Sequence, residues 1–336
     1  MEIESQNKEI EEMIRDLARK LLEEKQVDVI IGYTTGTVPL SSSPIVIDKV
    51  EDVDKLIWNN LCYINLANYL VPRIPTLFNE EGKKLKVGIV SKGCVGRALI
   101  HLSVEHQIEL ENIKIIGIPC NGIINRKKIE DEIGEREIFE ISVSGDKIIV
   151  KGSDFEKEFP FDEYLNELCK TCKVKSPPSV ADICLGECLE NPIIEDDFSD
   201  LTDFDLKTPE EKWEYIKSLL ESCTRCYACR EACPMCYCNL CFVDQNKPIW
   251  FGKTTEYNDI FVFHLVRAMH MAGRCVGCGA CSSVCPMGID LNLITRSLEK
   301  IAKERFNFTS GLNPGTLPPM MAFDMEDEQE FMMEED

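Results

Sequence analysis

Near its start the chain repeats apolar residues at helical spacing. Ile10, Met13, Ile14, Leu17, Leu21 and Leu22 recur among Glu and Lys, which predicts a helix over 6–25 with one apolar face. A continuous apolar run at 27–33 then reads as a buried strand, and Gly32 to Thr37 as the loop that follows it. Residues 51–70 return to the helical period. A strand at 85–90, a Gly-Cys turn, a helix over about 95–106 and a second strand at 113–119 come next, the last ending at Cys120. Strand, turn, helix, strand is the rhythm of a parallel sheet covered by helices. Residues 138–143 and 147–151, joined by Ser144-Gly145-Asp146, read as a hairpin. Beyond an acidic, weakly patterned stretch, helices are expected at about 209–222, 259–271 and 290–305.

The chemistry sits in the cysteines. Two runs share one spacing: Cys223-x-x-Cys226-x-x-Cys229-x-x-x-Cys233-Pro234 and Cys275-x-x-Cys278-x-x-Cys281-x-x-x-Cys285-Pro286. A cubane iron–sulfur cluster needs four thiolates at the corners of a tetrahedron. Three cysteines spaced by three wrap one cluster, while the fourth, before the proline, is carried by the turn to the other cluster. The spacing therefore assigns Cys223, Cys226, Cys229 and Cys285 to one 4Fe-4S cluster, and Cys275, Cys278, Cys281 and Cys233 to a second. Zinc sites commonly use two Cys-x-x-Cys pairs and do not need this crossed pattern. The expected fold is α/β: a parallel-sheet domain over 1–190, an acidic linker over 191–211, an α+β or α two-cluster ferredoxin-like domain over 212–306, and an acidic tail over 307–336 expected to be disordered.

Composition narrows the setting. The 336 residues carry a formal net charge of −22. Nucleic acid and anionic membrane surfaces reward Lys and Arg, so neither is an expected partner. The first twenty-five residues are charged and helical in pattern, unlike a secretory signal. No apolar stretch is long enough to span a bilayer. Eighteen cysteines in a chain of this length do not form a small secreted disulfide framework. The expectation is a soluble protein of a reducing cytoplasm, in an anaerobe.

Three further segments carry a family resemblance: Gly93-Cys94-Val95-Gly96-Arg97-Ala98-Leu99, then Ile116-Gly117-Ile118-Pro119-Cys120-Asn121-Gly122, then Cys169-Lys170-Thr171-Cys172 with Ala181-Asp182-Ile183-Cys184-Leu185-Gly186. Over roughly 27–190 they resemble the beta-subunit family of deazaflavin-dependent hydrogenases and formate dehydrogenases. With the C-terminal module added, the chain is similar to formate dehydrogenase beta subunits. The resemblance implies electron traffic between a catalytic subunit, of formate dehydrogenase or hydrogenase, and a flavin or heterodisulfide-reductase-like partner. Cys94 and Cys120 fall at the carboxyl ends of two expected parallel strands, the edge where ligands gather. With Cys169 and Cys172 they make four ligands for a third 4Fe-4S cluster; the competing reading makes Cys94 and Cys120 buried core residues.

Flavin-bearing members carry an early Ser-Gly-Gly segment. The matching region here has only Gly32 and Gly36 around Thr34 and Thr35, so an FAD site belongs to the alternative reading, a subunit that itself oxidises or reduces deazaflavin or a nicotinamide. Ser91-Lys92-Gly93-Cys94 is not a Walker loop. Cys236, Cys238 and Cys241, with Cys184 or Cys188, offer a fourth site for a cluster or for zinc. Cys62 reads as a lone core thiol. His101 and His106 are expected at the surface, while His264 and His270 lie on the helix before the second motif, where either can tune a cluster by a hydrogen bond. No acid–base or nucleophile pair stands out, and no DNA-binding segment supports a regulatory sensor. The leading expectation is an iron–sulfur electron-transfer subunit with no catalytic residue of its own.

Overall fold

The structure, a computed structural model, describes residues 2–71, 84–178, 180–188 and 196–323. Helix α1 (Glu2–Glu23) buries Ile10, Ile14, Ala18 and Leu21, the face its apolar period predicts. It packs on a mixed sheet of β1 (Val29–Thr35), β2 (Ser42–Ile47), β3 (Val87–Ser91), β4 (Ile113–Gly117) and β8 (Ile183–Cys184), in the order β2-β1-β3-β4-β8. Pairs β1·β3, β3·β4 and β4·β8 are parallel; β1·β2 is antiparallel. Every residue of β3 is buried, as expected for a central strand covered on both faces. Helix α2 (Gly93–Val104) crosses from β3 to β4, and α3 (Arg126–Ile133) follows β4. A separate antiparallel sheet holds β5 (Ile138–Ser144), β6 (Lys147–Gly152) and β7 (Glu156–Pro160). The α/β class stands, and the expected hairpin is β5–β6, extended by a third strand.

Several expectations need correction. Residues 51–70 do not form one helix; they form two 3-10 turns, Val50–Lys55 and Leu66–Tyr69. Asparagine side chains compete with the helix here: Asn59 Oδ1 accepts from Leu61 N at 2.9 Å and Asn65 Oδ1 from Ala67 N at 3.1 Å. Strand β2 was hidden by Pro44, which an edge strand tolerates because its missing N–H faces away from the ladder.

The linker and the tail are also more ordered than expected. From the linker, Asp196 and Asp200 bind Arg296 on the last helix, α6 (Asn292–Phe306), at 2.8 Å each. The tail does not float free at 307: Phe308 and Ser310 are buried, and Arg97 Nε donates to the Ser310 carbonyl at 2.9 Å. Residues 324–336 lie outside the described residues.

Helix α2 is the wall on which the C-terminal module sits. Its Arg97, His101 and Glu105 (the last just past the helix end) are four residues apart and face that module. Arg97 binds Glu299 at 3.2 Å, and Ser310 Oγ lies 2.9 Å from His101 Nδ1. Glu105 accepts from Arg274 Nε at 2.5 Å and Nη2 at 2.7 Å, and from the Tyr237 hydroxyl at 2.9 Å. Burial works to raise the Glu105 pKa, but hydrogen bonds from His101 and Arg274 outweigh it and hold the carboxyl at about 2. The expectation that His101 lies at the surface is therefore wrong: it is buried in this seam.

The module itself is built from α4 (Pro209–Leu220), α5 (Tyr257–Met271) and α6. Helix α4 begins with a capping box: Thr208 Oγ1 accepts from Glu211 N, and Glu211 Oε2 accepts from Thr208 N. Arg296→Ala removes a buried guanidinium shared by three carboxylates that are only partly shielded, and should destabilise the protein by about 2 kcal/mol. Thr208→Ala, which removes one exposed cap, should cost about 1 kcal/mol. Anaerobic thermal melts of the two variants should rank in that order; equal melting temperatures would mean the linker clamp contributes no more than the cap.

Candidate metal centres

Strand β3 ends at Ser91, and the chain turns at once into α2, placing Cys94 in its first turn. A Cβ at Gly93 would collide with the Val174 carbonyl oxygen, and one at Gly96 would crowd Pro177. These two glycines let the loop carrying Cys172 lie against the start of α2. Strand β4 delivers Cys120, whose amide donates to the Lys175 carbonyl at 2.9 Å, tying the second strand end to the same loop. Cys169 sits on the short helix Glu167–Lys170. The Cys94 thiol is within electrostatic reach of those of Cys120, Cys172 and Cys169. Burial pushes Cys94 up to about 12 and Cys169 up to about 11.

In the module, Cys223, Cys226, Cys229 and Cys285 line one small apolar cavity. Three come from the first motif and one from the second, the crossed arrangement that the spacing suggests. Left-handed residues shape both loops: Arg225 and Tyr227 in the first, Gly277 and Gly279 in the second. His264 Nε2 lies 3.3 Å from Cys223 Sγ. Burial, with the nearby Arg267 charge, pushes this imidazole down to about 4, and its Nε2–H tautomer would donate to the sulfur.

The other four meet as well. Cys278 is near Cys233 and Cys281, and Cys275 is near Cys278 and Cys281. Cys229 of the first group is also within reach of Cys281 of the second, and Cys278 of the second within reach of Cys94 on the α/β domain. The three groups of thiols form a continuous series.

Cys184 and Cys188 lie side by side with their sulfurs in contact. Cys236 hydrogen-bonds Cys233, an interaction that pushes its own thiol up and Cys233 down. Cys236, Cys238 and Cys241 line a cavity of about 200 Å³ with Arg230, Arg267 and His270. Cys62 is a buried thiol pushed up to about 12 by burial.

Two cations were not singled out from the sequence. Lys92, 2% exposed, donates to the Cys62 carbonyl and lies near Cys94 and Cys120, with the Tyr33 ring 5.6 Å away. Arg267 is buried in the middle of α5. The signal for Arg267 was legible: a guanidinium in an otherwise apolar helical run needs an anionic partner.

The donor sets fit iron–sulfur clusters. Each is four cysteines, the soft ligands that such clusters require. Among the described residues no three His, Cys, Asp or Glu side chains converge on a point where a single ion would sit.

A family model described as the 4Fe-4S binding domain matches residues 269–289, which take in Cys275, Cys278, Cys281 and Cys285. The F420-dependent formate dehydrogenase subunit beta of Methanocaldococcus jannaschii is 24% identical over 90% of this chain and 92% of its own length. F420-dependent formate dehydrogenase 1 subunit beta of Methanococcus maripaludis is 22% identical over 90% of this chain and 91% of its own. The chain resembles this beta-subunit family over nine-tenths of its length. Among solved structures, the F420-reducing [NiFe] hydrogenase complex from Methanosarcina barkeri overlays 50% of this chain on 63% of its own at 16% identity and a TM-score of 0.37. None of the helices in the described residues is long and apolar enough to cross a membrane.

Gly93→Ala should drive a methyl into a backbone carbonyl and displace the 172–178 loop from Cys94. The expected result is loss of roughly four iron atoms per chain, one cluster's complement, with the module's own iron kept. Full iron in this variant would show that the close approach is not needed to hold the group.

Proposed function

We propose that the chain is an iron–sulfur electron-transfer subunit of an oxidoreductase complex, passing single electrons through three 4Fe-4S clusters. Cys223, Cys226, Cys229 and Cys285 would hold the first, Cys275, Cys278, Cys281 and Cys233 the second, and Cys94, Cys120, Cys169 and Cys172 the third. The observation that carries this reading is the continuity of the thiols: Cys229 near Cys281, then Cys278 near Cys94. Bound clusters supply one-electron chemistry at potentials set by net charge, hydrogen bonds to sulfur and solvent exposure. The chain's own residues set those terms. The wall of α2 fixes the spacing between domains, burial dries the interior, and His264 Nε2 lies against Cys223 Sγ.

The named activity of the relatives supports formate dehydrogenase, or a hydrogenase, as the host enzyme, with a catalytic subunit at one end of the relay and a flavoprotein, of heterodisulfide-reductase type, at the other. A cytoplasmic, anaerobic setting agrees with so many thiols in reach of oxidation. A fourth centre at Cys236, Cys238 and Cys241 is left out of the proposal, since these three line their cavity without Cys184 or Cys188.

A second reading, a subunit that holds FAD and itself exchanges electrons with a deazaflavin or nicotinamide, is favoured by a cleft of about 570 Å³ between the domains. Arg126, Lys127 and Lys128, the acids Glu130, Asp131, Glu167 and Asp290, and Cys285 line it, so charges of both signs and a cysteine of the first set face one space.

Anaerobically purified chain should contain about twelve iron and twelve acid-labile sulfide, at ~4 of each per cluster. The Cys94→Ala/Cys120→Ala double variant should keep about eight of each. A value near eight in the unaltered chain would sink the third cluster. Flavin released by acid, visible in the supernatant, would decide for the second reading, and a colourless supernatant against it.

A further inference from the structure

Arg267 is 6% exposed on α5, and its charge has no carboxylate partner among the hydrogen bonds and ion pairs of the described residues. Nη2 donates to the Cys229 carbonyl at 3.3 Å. Nε is buried with no hydrogen-bond partner. Around the guanidinium stand the thiols of Cys281, Cys233, Cys236 and Cys229, with Cys281 in hydrogen-bonding reach. Cys229 belongs to the first set of four, and Cys281 and Cys233 belong to the second. Burying a guanidinium costs several kcal/mol, and an unmade buried hydrogen bond a further ~1–3 kcal/mol. Such a group is stable only where negative charge arrives to meet it. Two clusters, each ligated by four thiolates, bring that charge to both sides of this side chain.

We propose that Arg267 is a cation shared by the two ferredoxin-type clusters, with its free Nε–H directed at their sulfur and its charge raising both reduction potentials together. The proposal rests on the cluster reading above and adds a positioning residue that the cysteine motifs do not contain. A cation beside a cluster favours the more negative, reduced state, and in a dry interior this interaction is poorly screened. His264 provides the contrast, because it touches Cys223 of the first set alone.

The test is a potentiometric titration of the full anaerobic chain, followed by electron paramagnetic resonance, for Arg267→Met, Arg267→Lys and His264→Phe. Iron and sulfide are counted on every sample. In Arg267→Met both ferredoxin-type clusters should become harder to reduce, by tenfold or more in the reduction equilibrium constant, about 59 mV for a one-electron couple. The third cluster should hold its potential. Arg267→Lys keeps the charge without the planar fork, so it should move the same two clusters in the same direction by less. His264→Phe should move the first cluster only. If only one cluster moves in Arg267→Met, the cation is not shared; if none moves, or all three move alike, the residue is a structural strut. Should Arg267→Met lose iron, Arg267→Gln, which keeps hydrogen-bond donors without the charge, decides: full iron with unchanged potentials overturns the proposal. Fewer than about eight iron in the unaltered chain, at ~4 per cluster, would instead mean that the cluster reading itself has failed.

Discussion

The seam between α2 and the C-terminal module holds the rest of the arrangement together. Helix α2 is buried along nearly its whole length, against the sheet on one side and the module on the other. On the module side it presents Arg97, His101 and Glu105, and each has a partner from the far end of the chain. Charged groups with exact partners resist sliding in a way that apolar contact does not, because a displaced carboxylate or guanidinium is left buried and unpaired. The same helix carries Cys94 in its first turn. The seam thus fixes where Cys94 stands relative to Cys278, and with it the continuity of the series of thiols. The start of the tail closes the seam: Gly311 packs so tightly on the Arg97 backbone that a side chain there would collide with it.

The electrostatics are local rather than global. A chain with net charge −22 has a surface that repels anions, yet its interior places Lys92 and Arg267 beside the groups proposed to carry clusters. Net charge governs solubility and encounter, whereas a cation held in a dry interior acts on its neighbours with little screening. The two cations are held differently. Lys92 gives a hydrogen bond to a backbone carbonyl and stands near an aromatic ring, while Arg267 keeps a donor unused.

The sequence made some of this legible and hid the rest for physical reasons. Repeated spacing of three marked the ferredoxin-type motifs, because the chain must wrap tightly to bring three thiols to one cluster. The parallel strands were visible as apolar runs, since both of their faces are covered. The 51–70 stretch misled, because its apolar residues do recur at helical spacing, but asparagine side chains capture the backbone instead. Order in the linker and tail was invisible in their composition: it comes from Arg296, Arg97 and His101, partners about a hundred or more residues away. That Cys184 and Cys188 do not line the cavity of Cys236, Cys238 and Cys241 likewise depends on tertiary placement that spacing does not carry.

Burial differs within the first group of thiols. Cys226 is exposed, while Cys229, three residues on and near Cys281 of the second group, is buried. Cys281 and Cys278 beyond it are half-buried, as are Cys120, Cys169 and Cys172 at the carboxyl edge of the sheet. A relay needs its ends near the surface to meet partners and its middle dry, so that nearby charges are felt undiminished and oxidants are kept out. Arg267 itself is 6% exposed. On the proposed reading its charge is poorly screened and stands between two groups of thiols rather than beside one.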